Sequence, residues 1–205
     1  MPGSERGGRS RLLFVTYVLL AYYLPPLLIL MRVIPFEFRF PMLLITSVAV
    51  AAYVLWGRYS LASLGIRLDN FGRSLGINIS ISIVGLLGLA LLDLKGLIRA
   101  PTVPQWRWFF LFYVFVSCPA QEFLFRSALF AEMENAGING KYWQIAISSI
   151  SFCFLHIIYR DAITLCAALL IGIVWGLVYQ SCRNLIGVTG SHCVLGVASI
   201  FVGLI

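Results

Sequence analysis

Four ionisable side chains lie inside long apolar stretches of this sequence of 205 residues. Glu122 and Arg126 lie in FFLFYVFVSCPAQEFLFRSALF, His156 lies in SISFCFLHIIY, and His192 lies in GVTGSHCVLGV. The two histidines are the only ones in the chain. Ionisable groups are costly in apolar surroundings, so their presence there predicts a functional site.

A purely structural role would explain part of this set. Glu122 and Arg126 are four residues apart, so they share a helix face and could offset each other's burial as an ion pair. A single histidine in an apolar helix is more often a satisfied core residue than a ligand. The ion pair does not explain two intramembrane histidines, and no histidine lies elsewhere. We therefore predict that Glu122, His156 and His192 form one polar site.

A carboxylate and two imidazoles in a dry cavity can hydrolyse a peptide bond. Glu122 would take a proton from water and later give it to the leaving amine. Neutral His156 and His192 would donate hydrogen bonds to the developing oxyanion, and Arg126 would hold Glu122 in place. This set predicts a glutamic-type peptidase that uses no cofactor.

Other hydrolytic chemistries fit the sequence less well. One glutamate and two histidines could also hold zinc, but the HExxH helix is absent and no second glutamate lies nearby as a base, so we rank a metal site second. Ser191 is not in a GxSxG frame, and Asp69, Asp93 and Asp161 lie at the edges of the apolar runs. A thiol mechanism at Cys153, three residues before His156, is a weaker alternative.

The composition predicts that membrane-spanning helices carry these residues. Hydrophobic residues make up 60% of the chain and charged residues 11%, and the mean hydropathy is +0.94. A soluble domain of this size cannot bury so much apolar surface. This excludes a small disulfide scaffold and a disordered nucleic-acid-binding protein. The net charge of +7 is interpreted as membrane topology and contact with lipid headgroups, without a nucleic-acid partner.

The predicted fold is all-α, a multispan transmembrane bundle of about seven helices, since a span needs about 20 residues. Pro25 and Pro26 should kink or break the first helix. Segment 58–74 is predicted as an interfacial linker and 132–142 as a loop. The predicted spans are 12–31, 41–57, 75–92, 106–131, 143–159, 162–180 and 185–205.

We expect a basic cytoplasmic arm at 1–11, N-terminal membrane helices over 12–100, and core helices over 101–205 that carry the site. An inside amino terminus puts eight basic residues on inner segments against six on outer ones. We therefore expect a multi-pass protein of a bacterial cytoplasmic membrane. Gly172 and Gly176 form a GxxxG pair that favours close helix packing.

Around these residues the sequence resembles the CAAX protease and bacteriocin-processing (CPBP) family of intramembrane endopeptidases. That family carries ExxxR preceded by a second glutamate, then FxxxH, then HxxxN or HxxxD. The resemblance covers about residues 100–200 well and the earlier half loosely. The corresponding residues here are Gln121-Glu122-Phe123-Leu124-Phe125-Arg126, Phe152-Cys153-Phe154-Leu155-His156 and His192-Cys193-Val194-Leu195-Gly196.

The resemblance implies a helical membrane bundle whose site hydrolyses a membrane-associated protein or peptide. Glu122 would be the catalytic glutamate, and His156 and His192 would orient water and stabilise the oxyanion. Divergent members process carboxy-terminal sorting signals, so the substrate need not be a prenylated CAAX protein.

Two departures from the family pattern leave a second function open. Gln121 replaces the first glutamate and cannot exchange protons, and Gly196 replaces the residue that would help to bind the oxyanion. The alternative is a non-catalytic membrane scaffold of the same fold. A transporter with a proton relay would show two related halves with broken helices, and none is visible in the sequence.

Overall fold

The computed structural model describes residues 12–98, 104 and 106–204. All regular secondary structure in these residues is helical, and it forms seven helices, which confirms the predicted fold. The helices are α1 (Leu12–Leu30), α2 (Phe36–Trp56), α3 (Phe71–Leu94), α4 (Phe109–Asn135), α5 (Lys141–Tyr159), α6 (Ala162–Cys182) and α7 (Leu185–Phe201).

The first six helices are long and apolar enough to cross a membrane, and α7 is a shorter apolar helix. This agrees with an integral membrane protein. The predicted basic arm 1–11 lies outside the described residues. The predicted division at residue 100 falls within 99–103, which also lies outside them, and it stays a prediction.

The proline pair in α1 changes the backbone hydrogen-bonding pattern but does not end the helix. Pro25 and Pro26 lack an N–H, so two carbonyls of the preceding turn lose their helical partners. The chain responds with one π-helical turn, Leu19–Tyr23, directly before the prolines, and the Leu24 N–H donates to the Leu19 carbonyl. The helix is therefore continuous through the prolines, which contradicts the predicted break, while the kink stays a prediction.

Helix α4 ends four residues later than predicted, because its last turn has tertiary contacts. Glu132 is buried and its carboxylate accepts a hydrogen bond from Tyr53 at 3.4 Å. Glu134 forms an ion pair with Arg183 at 2.6 Å. These contacts continue the helix to Asn135, so the predicted loop 132–142 was too long, and the actual connection is 136–140.

The segment between α2 and α3 folds back over one end of the bundle. Helix α3 begins at Phe71, inside the predicted linker 58–74, so the connection is 57–70. The Leu185 N–H donates to the Gly65 carbonyl at 2.8 Å, and the Asn184 amide donates to the Arg67 carbonyl at 2.8 Å. The start of α7 is thereby fixed to this linker.

Helices α5 and α6 pack closely side by side. A Cβ atom at Gly172 would lie 3.4 Å from the Ser149 backbone, and one at Gly176 would lie 3.2 Å from the Ile145 side chain. The two glycines face α5, as expected for small residues at a helix interface. This contact aligns the helix that carries His156 with the centre of the bundle.

Candidate active site

Glu122 and His192 form a buried pair that joins α4 to α7. The Glu122 Oε1 atom lies 2.7 Å from His192 Nδ1, and the two residues are 0% and 3% exposed. Glu122 is the last residue before a π-helical turn, Phe123–Ala128, and π turns are frequent at functional sites. The sequence could not show that these residues, 70 positions apart, meet.

Arg126 lies beside Glu122 and links the pair to two further helices. Its Nε atom is 3.5 Å from Glu122 Oε2, which has no hydrogen-bond partner among the described residues. Its terminal nitrogens donate to the Ser148 hydroxyl of α5 and the Gly172 carbonyl of α6, both at 3.4 Å. The fully buried guanidinium therefore offsets the buried carboxylate, as the four-residue spacing predicts.

Phe152 contacts both histidines. Its ring centroid is 4.8 Å from that of His156 and 5.7 Å from that of His192. The His156 Nδ1 atom lies 2.9 Å from the Phe152 carbonyl oxygen, where α5 tightens into a last 3₁₀ turn. One aromatic residue thus positions both imidazoles.

The indole of Trp175 supports His192 from α6. The two rings are stacked, with centroids 4.6 Å apart and planes inclined by 20°. Trp175 is 2% exposed. Sequence reasoning missed this residue as a site member, because an apolar tryptophan in an apolar helix carries no signal of its contacts.

The hydrogen bonds determine which nitrogen of each imidazole carries hydrogen. A carbonyl oxygen and an ionised carboxylate only accept hydrogen bonds, so Nδ1 of His156 and Nδ1 of His192 are both donors. In the neutral rings, Nε2 is then an acceptor and holds no hydrogen. Both histidines can orient water by accepting its hydrogen.

A cavity of about 640 Å³ opens between α3, α6 and α7 beside these residues. Its polar wall includes His156 and His192, and most of the remaining wall is apolar. Glu122 is fully buried and does not line the cavity. Its carboxylate is connected to the cavity by its hydrogen bond to His192, which does line it.

The two departures from the family motifs have different surroundings. The Gln121 amide donates to the Ser117 hydroxyl at 3.0 Å, and its carbonyl oxygen is buried without a partner among the described residues. Gly196 lies on the cavity wall, and a Cβ atom there would overlap the Tyr113 hydroxyl and lie 2.8 Å from the ring atom Cε1. Tyr113 is a second neighbour that sequence reasoning missed.

The ligand set of the zinc alternative is not assembled. Within the described ranges, no group of three or more His, Cys, Asp or Glu residues is arranged to hold a metal ion.

Residues 103–198 match the sequence model of a protein family described as Type II CAAX prenyl endopeptidase Rce1-like. The matched range contains all three motifs, so the resemblance to the CPBP family is confirmed over this segment. The family consists of membrane proteases, which are hydrolases. No match was found among curated proteins or among solved structures.

Proposed function

From the family match over residues 103–198, we propose that this protein is an intramembrane endopeptidase in which Glu122 acts through His192 to activate water. The observation that carries the proposal is the buried hydrogen bond of 2.7 Å between Glu122 and His192, on the wall of an apolar cavity. Buried ion pairs contribute little net stability, so a contribution to stability does not by itself explain a charged pair in an apolar bundle, and this favours a functional role.

The pair acts as one general base. A water molecule held at Nε2 of His192 gives its proton to that nitrogen, and the resulting hydroxide attacks the carbonyl carbon of the scissile bond. Glu122 accepts the Nδ1 hydrogen bond and stabilises the imidazolium that forms. The imidazolium then returns the proton to the leaving amine as the C–N bond breaks. His156, which lines the same cavity, helps to orient the water.

This scheme uses the catalytic residues expected from the sequence but assigns different roles to Glu122 and His192. Glu122 alone was expected to take the proton from water. Its carboxylate is 0% exposed and contacts His192, which lines the cavity. We therefore propose that the proton reaches His192 first.

The substrate is an apolar or lipidated segment of a membrane-associated protein or peptide. The cavity volume of about 640 Å³ lies in the range of about 300–1,000 Å³ that is usual for ligand pockets. Apolar side chains of α3 and α6, such as Val84, Leu89 and Leu170, form its wall next to the lipid-facing surface. The bilayer is the medium from which such a substrate enters.

A survey of peptide termini in host membranes tests the proposal. Wild type, Glu122→Gln and Glu37→Gln are expressed at equal levels, and membrane peptides are identified by mass spectrometry. Glu37 is exposed on the opposite end of α2 from the linker and serves as the matched control. We expect new termini in wild type and Glu37→Gln that fall by about 10²–10⁴-fold in Glu122→Gln, the usual contribution of general-base catalysis.

A non-catalytic scaffold is the second candidate, and two observations favour it. Gln121 stands where the family has a proton-exchanging glutamate, and both carboxylate oxygens of Glu122 already face Arg126 or His192. Identical termini in all three proteins would contradict the peptidase and support the scaffold.

The variant Gln121→Glu separates the two candidates further. If the Glu122–His192 pair is the base, this change alters the rate of cleavage by less than about 10-fold, because the base is already present. Cleavage that appears only in Gln121→Glu would mean that the natural chain lacks its base, which contradicts the proposed mechanism.

A further inference from the structure

In the proposed mechanism, the one Nε2 proton that the imidazoles acquire is taken from water by His192 and passed to the leaving amine, so no side chain named so far is reserved as a hydrogen-bond donor for the oxyanion. Both imidazoles use their Nδ1 hydrogen toward the protein, so their neutral forms have no hydrogen on Nε2. Gly196 has no side chain. Acyl-transfer sites gain a large part of their rate from such donors, so a working site must find one elsewhere.

The hydroxyl group of Tyr113 occupies the space that a side chain at position 196 would fill. Tyr113 lies in the first π-helical turn of α4, and its hydroxyl lies so close to Gly196 that a Cβ atom there would overlap it. Only glycine at 196 leaves this position to the tyrosine. The two residues therefore form a matched pair across α4 and α7.

The tyrosine ring is held in place at the cavity wall. It stacks on Phe109 with centroids 6.0 Å apart, and its centroid is 6.4 Å from that of His192, in an edge-on arrangement. Tyr113, His156 and His192 line the same cavity. A hydroxyl fixed beside the base is preorganised for a reacting carbonyl group.

The nearby protein partner of the hydroxyl is a weak one. Tyr113 interacts with the thiol of Cys118, and a thiol is a poor hydrogen-bond acceptor. An anionic oxygen is a much stronger acceptor, so it can replace the thiol as the partner of the tyrosine hydrogen.

We propose that Tyr113 is a further catalytic residue, whose hydroxyl donates a hydrogen bond to the oxyanion and replaces the donor that Gly196 cannot supply. The assignment rests on the proposed peptidase function. The hydroxyl keeps its proton throughout: it stabilises the negative oxygen after hydroxide attack and releases it when the C–N bond breaks.

The first test is Tyr113→Phe, which removes the hydroxyl and keeps the ring. The probe is a fluorogenic peptide with a prenylated cysteine followed by three residues, cleaved by purified protein in detergent micelles. We expect kcat to fall about 10²–10³-fold with KM changed less than about 3-fold, as for the loss of one oxyanion donor. Tyr142→Phe is the matched control, since Tyr142 is 79% exposed, and it should keep the wild-type kcat.

The second test moves the hydrogen-bond donor from position 113 to position 196. Gly196→Asn alone should be inactive, because its Cβ overlaps the Tyr113 hydroxyl. Tyr113→Ala together with Gly196→Asn frees that space and supplies an amide donor, and we expect it to recover at least about 10-fold in kcat over Tyr113→Ala alone. A merely structural role for Tyr113 predicts no such recovery.

A binding measurement gives an answer that does not need turnover. A phosphonamidate version of the same peptide mimics the tetrahedral oxyanion, and its affinity should fall about 10²–10³-fold in Tyr113→Phe while that of the uncleaved peptide stays constant. Equal affinity for the phosphonamidate in wild type and Tyr113→Phe overturns the assignment of Tyr113. No cleavage of any host peptide by wild type overturns the proposed function instead.

Discussion

At the scale of single residues, Glu122 connects two different partners with its two oxygens. One oxygen lies 2.7 Å from His192, and the other faces Arg126 at 3.5 Å. None of the three side chains is more than 4% exposed. A carboxylate in this position is stable only because a cation is buried with it, so Arg126 makes the charged form of Glu122 possible.

Removal of the cation should therefore destabilise the fold. Arg126→Leu leaves the Glu122 carboxylate buried without its counter-ion, and we expect a loss of about 3–5 kcal/mol in the free energy of unfolding, the usual effect of breaking a buried pair. Unfolding in mixed detergent micelles, followed by circular dichroism, measures it.

The double variant Glu122→Gln with Arg126→Leu is the control for this prediction. It removes both charges, so it should regain part of the stability that Arg126→Leu loses. A double variant that is less stable than Arg126→Leu would mean that the arginine acts through its contacts with Ser148 and Gly172 rather than through its charge.

At the scale of the elements, one close approach fixes α7 against α3. A Cβ atom at Gly187 would overlap the Ser74 hydroxyl and lie 3.0 Å from the Asn78 amide nitrogen. One turn later, the Ser191 hydroxyl donates to Asn78 at 2.9 Å. Ser191 directly precedes His192, so this polar contact sets the height and rotation of the histidine.

Gly187→Ala should push the two helices apart. We expect a loss of about 1–3 kcal/mol in stability, typical of overpacking, and a shift of His192 away from Glu122 that lowers proteolysis. Gly190→Ala on the same helix is the matched control, because nothing lies within 4 Å of a Cβ atom there. A thermal unfolding series of both variants in detergent tests this, and equal melting temperatures would contradict it.

At the scale of the whole molecule, the segments that connect the helices lie at two opposite ends of the bundle. The linker 57–70 contacts the α6–α7 connection at one end, and Arg160 hydrogen bonds to the Leu30 carbonyl at the other. The inside amino terminus expected from the sequence assigns the linker end to the cytoplasm.

Membrane-impermeant maleimide should distinguish these two ends in intact cells. Lys95→Cys, directly after α3, should be labelled from outside, and Asn139→Cys, between α4 and α5, should be labelled only after permeabilisation. Both positions are exposed, and wild type gives the background from its own cysteines. Labelling of Asn139→Cys but not of Lys95→Cys in intact cells would reverse the orientation, and equal labelling of both would contradict the membrane arrangement.

Most of the helices, and the Glu122–Arg126 half of the site, could be predicted from local sequence patterns. Apolar run length predicts the six long helices, whereas the seventh predicted span, 185–205, is a shorter helix. The four-residue spacing places Glu122 and Arg126 on one face, because that depends only on helix geometry. The limits of the helices were less predictable. The last turn of α4 depends on Tyr53 and Arg183, which are distant in sequence.

Which helices bring their side chains together depends on tertiary packing and could not be predicted. A rise of about 1.5 Å per residue places His156 nearer the opposite face from His192, yet both rings contact Phe152. The contacts of Trp175 with His192 and of Tyr113 with Gly196 have no local signature either. The physical reason is that tilt and rotation of a membrane helix follow from packing against its neighbours, which no single segment encodes.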